Sequence, residues 1–132
     1  MKKTLIVTLT IVSLLTITGC GKETKLPEIN SDIKTNVNEK IIKSQEISGL
    51  KFDNTSVVYE NGISTVTITI TNVTESAMKV NTVNMIFVDS EGLQTSLIAL
   101  IDDNINPNQS ITVSSNTDID LTKAVSVEYK ID

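Results

Sequence analysis

The chain has no histidine, no tryptophan, no arginine, one cysteine, two prolines and four aromatic residues among its 132 positions. Without histidine it lacks the commonest general base and the commonest metal ligand. A single cysteine, Cys20, can neither close a disulfide within the chain nor supply a Cys/His zinc set. Eleven lysines stand against 16 acidic side chains, a formal charge of −5. That leaves no basic patch for phosphate contacts, so nucleic acid is not an expected partner. No nucleophile–base pair of the usual kinds can be drawn, so the reading is of a chain that is not an enzyme and carries no cofactor. With neither disulfide nor tryptophan, one modest domain with an aliphatic core is what this length supports.

What is present begins at the first residue. Lys2 and Lys3 precede an apolar stretch from Thr4 to Ile17, about fourteen residues, where a membrane-spanning helix needs ~20. Its length and flanks are those of a secretory signal. The stretch ends in Ile17-Thr18-Gly19-Cys20, a branched aliphatic, two small residues and the lone cysteine. This resembles the lipobox of bacterial lipoprotein signal peptides. The resemblance implies that the Cys20 thiol carries a diacylglyceryl group, that the signal 1–19 is removed, and that Cys20 becomes the membrane anchor. A single acyl chain binds a bilayer only marginally, and two hold firmly. The expected location is therefore the cell membrane, lipid-anchored on its extracytoplasmic face. Removing residues 1–19 takes two lysines with it, leaving 9 Lys against 16 acids, a charge near −7.

From Gly21 to about Gln45 the chain is polar and lacks a sustained apolar period. It reads as a flexible tether over 20–45, with one helical turn around Asn38–Lys43. From residue 46 the texture changes. Val66, Ile68 and Ile70 alternate with Thr65, Thr67, Thr69 and Thr71, the period of a half-buried strand. Leu50 and Phe52, then Val57 to Tyr59, form a bent or interrupted strand, and Asn61-Gly62 predicts a type I′ hairpin turn. Further strands fall over 80–89, 93–101, 111–113 and 125–131, separated by turns at 72–76, 90–92 and 106–109. Six or seven short strands without helical periodicity predict an all-β, antiparallel, immunoglobulin-like sandwich over 46–132.

Three stretches, ITITNVTES at 68–76, MIFVDSEG at 85–92 and INPNQSITV at 105–113, make residues 47–132 resemble the FxLYD-type immunoglobulin-like domains of bacterial envelope lipoproteins. Telokin-like extracellular domains share the strand–Asn–turn–strand opening. Val88 stands where the first family usually has Tyr, and Asn108 where it usually has Gly. The resemblance implies a cell-envelope β-sandwich and brings no catalytic residues with it.

Two sets of residues remain as candidate sites. Asp102 and Asn104 open like a calcium loop, but the sixth and twelfth positions, where such a loop needs Gly and Glu, hold Pro107 and Val113. An irregular site would need Asp118 and Asp120 to join them, so no metal is assigned and these four are the weak candidates. The second set is apolar. Leu97 to Ile101 are five apolar residues in a row, and alternate members of a strand face opposite sides. Ile98 and Leu100, with Ile86 and Val88 on the preceding strand, therefore face away from a sandwich core. Loops, the tether or sheet curvature cover them in one reading; in the other they form contiguous exposed apolar surface, which marks interaction sites. The expected function is binding of another envelope protein or a wall component, with a homodimer as one form of partner. The alternative is a small-ligand or calcium-binding envelope lipoprotein.

Overall fold

The computed structural model describes residues 32–132. The Val66–Ile70 alternation lies on β4 (Ile63–Asn72), where Ser64, Val66, Ile68, Ile70 and Asn72 are buried and the threonines between them face outward. β4 pairs antiparallel with β3 (Leu50–Glu60) through the two-residue turn Asn61-Gly62. Both turn residues have positive φ, 52° and 82°, as a type I′ turn requires. β3 is one strand with a bulge. Between Asp53 and Ser56 its register against β4 slips by one residue, and Asn54 has φ 51°. The extra residue changes the inward phase from Leu50 and Phe52 to Thr55 and Val57, all four buried. This is the physical content of the interrupted pattern in the sequence.

The other elements divide between two antiparallel sheets. The first contains β1 (Lys34–Thr35), β3, β4 and β7 (Ser110–Thr117) in that order, with β2 (Gln45–Ile47) also paired to β3. The second has β5 (Met78–Asp89) at its centre, between β6 (Gln94–Ile105) and β8 (Ala124–Ile131). The core lies between them. Phe52, Val57, Val66, Ile68 and Ile70 from the first sheet face Val80, Val83, Met85, Phe87, Val127 and Tyr129 from the second. Phe52 and Tyr129 stack across the gap with centroids 4.5 Å apart and planes 4° from parallel. The Tyr129 hydroxyl is 2.9 Å from the buried Thr55 hydroxyl that the β3 bulge turns inward. Burial pushes the Tyr129 phenol above its ordinary value, and the Thr55 hydrogen bond opposes that in part. The expected all-β antiparallel sandwich is the observed architecture, with eight strands.

Part of the stretch that reads as tether is paired with the sandwich. Residues 34–45, which read as tether, are in place: β1 and β2 pair with β3, and a single helical turn, α1 (Glu39–Ile42), lies between them. Asn38 caps α1 by accepting the Lys40 N–H at 2.9 Å. Ile41 on this turn is fully buried. The arm also spans the gap to β8. The Asn36 amide donates to the carbonyls of Leu121 (3.0 Å) and Ala124 (2.8 Å), and Gln45 donates to that of Val127 (3.1 Å). On the opposite side of the sandwich the Ser115 hydroxyl donates to the Ile98 carbonyl at 3.1 Å. Side-chain bonds to backbone thus bridge both sides where no strand pairs across, and among the described residues no buried side-chain polar atom lacks a partner.

Candidate functional site

The outward face of the second sheet is built in rungs across β6, β5 and β8. Gln94, Val88 and Ser126 form one; Ser96, Ile86 and Glu128 the next; Ile98, Asn84 and Lys130 the third; Leu100, Thr82 and Asp132 the fourth. Leu97 and Ala99, between the outward positions of β6, are buried against the core. The apolar run 97–101 therefore divides as the two-residue period requires. Ile98 is 62% exposed and Leu100 78%, so no other described residue covers them. Ile86 and Val88 are half-buried by their neighbours on the central strand. The apolar residues do not stand opposite one another: those of β5 occupy the first two rungs and those of β6 the last two. Between them Ser96 donates to the Asn84 side-chain oxygen, so this central polar pair is bonded to itself.

The hairpin that aligns these strands is fixed by Asp89. One of its carboxylate oxygens accepts the N–H groups of Glu91 and Leu93, both at 2.9 Å, while Gly92 takes φ 86°. This local bonding makes Asp a turn residue. These bonds hold the turn between β5 and β6.

The weak metal candidates are not brought together. Asn72, at one end of β4, donates to the Ile105 carbonyl at 2.8 Å, which puts Asp102 and Asn104 near that end. Ser64, at the other end, donates to the Ile119 carbonyl at 2.6 Å and accepts the Leu121 N–H at 2.9 Å. Asp118 and Asp120 lie there. Eight residues of extended strand, roughly 27 Å, separate the two ends. Asp102 sits at a bulge of β6 with φ 46° and pairs with the Lys79 ammonium at 2.7 Å. That hydrogen bond and the lysine charge hold its carboxyl below the usual aspartate range. Asp120 is held low chiefly by the Thr122 hydroxyl, one of its oxygens also accepting the Thr122 N–H at 2.9 Å. Among the described residues no three potential ligands form a metal cluster.

A concavity lies at the Asp120 end of the sandwich. It encloses about 240 Å³ over a floor of Phe87, Leu121 and Ala124, with Asp89, Asp120 and Lys123 also lining it. Leu93 and Ile119 stand exposed at its rim. They belong to different connections, and no linear pattern joins them.

The chain matches no protein-family model and no curated protein. Cys20, the expected lipidation site, lies outside the described residues. Among the described residues no helix is long and apolar enough to cross a membrane.

Proposed function

We propose that this protein is a lipid-anchored, extracytoplasmic, non-enzymatic module that binds another envelope protein or a wall component through the outer face of its second sheet. The observation that carries the reading is the exposure of Ile98 and Leu100 beside Ile86 and Val88 on a face built from regular strands. Stable binding surfaces centre on apolar anchors held by rigid elements and rimmed by polar groups, and Gln94, Glu128 and Lys130 stand at the rim here. The anchor part of the reading rests on the lipobox-like Ile17–Cys20, and the envelope part on the likeness of 47–132 to FxLYD-type or telokin-like domains.

In-cell crosslinking of the native chain, followed by affinity recovery and mass spectrometry, tests it, with Cys20→Ala as control. A specific adduct that weakens in the control is the expected outcome. Recovery of bulk membrane proteins alone, equal in both forms, would sink the reading.

The 240 Å³ concavity favours a second reading, a small-ligand envelope lipoprotein. A ligand bound there raises the unfolding free energy by ~2.7 kcal/mol at a hundredfold excess over its Kd. A thermal-shift panel that includes calcium measures this, and a flat panel removes the second reading.

A further inference from the structure

We propose that the partner of the second sheet's outer face is a second copy of this chain, stacked on it about a two-fold axis; this rests on the binding-module reading above. Take an axis lying in the interface, perpendicular to the strands and midway between the Ile86 and Asn84 rungs. Each rung then faces its symmetry mate: the Ser96–Ile86–Glu128 rung lies over the Ile98–Asn84–Lys130 rung of the other copy. Glu128 meets the second copy's Lys130, and Lys130 meets its Glu128, the reciprocal contacts of an isologous interface.

The apolar residues obey the same symmetry. Because β5 carries its pair on the first two rungs and β6 on the last two, Ile98 of the second copy enters above Ser96, beside Ile86. Leu100 likewise enters above Gln94, beside Val88. Large side chains thus fall over smaller or polar ones and touch large ones sideways, the interdigitation of packed sheets. Asn84, beneath an isoleucine of the second copy, keeps its bond from Ser96. The four rungs carry Glu128, Lys130 and Asp132; the first two face their opposites across the axis, and Asp132 stands over the uncharged Ser126 of the second copy, so no acid meets an acid at this face.

Three strands ~4.8 Å apart and about seven residues long give a footprint of roughly 14 by 24 Å. A pair of this size falls in the class below about 1,200 Å² that associates weakly in dilute solution. Confinement of both copies to one membrane raises their effective concentration. The test therefore uses the full chain in its own membrane, with a photoreactive phenylalanine replacing the exposed Gln94. The expected product is an adduct of twice the chain mass. Glu128→Lys alone or Lys130→Glu alone lowers its yield roughly tenfold, since both reciprocal pairs become repulsive. The double swap restores it, and so does co-expression of the two single variants, whose charges are again complementary. An adduct only with a different protein overturns self-association and leaves the binding-module reading standing. Absence of any adduct overturns both. A self-adduct indifferent to the charge reversals overturns the proposed geometry.

Discussion

The two sheets share one core, and their outer faces differ in how many large apolar residues they carry. On the first sheet, Thr65, Thr67, Thr69 and Thr71 of β4 stand opposite Asn116, Ser114, Thr112 and Ser110 of β7. Three of these rungs are bridged by hydroxyl pairs, at 2.9, 3.4 and 2.7 Å. Each hydroxyl keeps further bonding capacity for water, so this face is finished as a solvated surface. On the second sheet the outward positions include Ile86, Val88, Ile98 and Leu100 among polar residues. A stable sandwich needs only its inner faces to be apolar. The exposed Ile98 and Leu100 of the second face therefore contribute little to folding.

The comparison can be broken most severely at the core that both faces share. Phe52→Ala removes the ring stacked on Tyr129 and is expected to destabilise by about 3–5 kcal/mol, read by denaturant titration. A loss below about 1 kcal/mol would mean the inter-sheet stack is not part of the core. Leu97→Ala follows, at about 2–4 kcal/mol, because Leu97 is buried beside the exposed Ile98.

Tyr129→Phe should cost about 1–2 kcal/mol at neutral pH by leaving the buried Thr55 hydroxyl unpaired. It should also change the alkaline limb. The Tyr129 phenol is raised above its ordinary 10.0 in the folded state. Its contribution is therefore complete below that value and is lost as pH rises through the folded-state value. Stability of the parent protein should fall at high pH more steeply than that of Tyr129→Phe, and parallel limbs would refute this.

On the outer face of the second sheet, Ile98→Ser with Leu100→Ser should move the unfolding free energy by less than about 0.5 kcal/mol. Association measured by crosslinking should fall at the same time. A collapse of folding would show these residues to be core. The smallest effect belongs to the first face. Thr67→Val leaves the strand pairing intact and should change neither association nor, beyond about 0.5 kcal/mol, stability. Equal sensitivity of association at Thr67 and Ile98 would erase the distinction between the faces.

Much of this was legible in the chain because the deciding interactions are local. The β4 alternation, the Asn61-Gly62 turn and the Asp89-capped turn each depend on neighbours within a few residues. The division of 97–101 into inward and outward members is legible for the same reason, since a strand's period is a property of its backbone. The N-terminal arm was not. Its amphipathic signal is a single isoleucine, Ile41, whose burial is created by its contacts with the rest of the sandwich. Asn36, Ser64 and Asn72 are polar residues that read as surface, yet they are buried because each binds the backbone of a distant segment. That Asp102 and Asn104 lie at one end of β4 and Asp118 and Asp120 at the other was not legible, because composition carries no information about which end of a strand a loop occupies.

The sequence by itself determined the strand periodicity, the turns, the antiparallel sandwich class and the outward facing of Ile86, Val88, Ile98 and Leu100. These follow from backbone geometry and near-neighbour bonding, which need no knowledge of the rest of the chain. Only the tertiary structure decided that residues 34–45 join the sandwich, which rung each outward residue occupies, and that Ile98 and Leu100 lie uncovered by the other described residues. Those are matters of register and of packing between segments far apart in the chain, and loops and bulges set them one residue at a time.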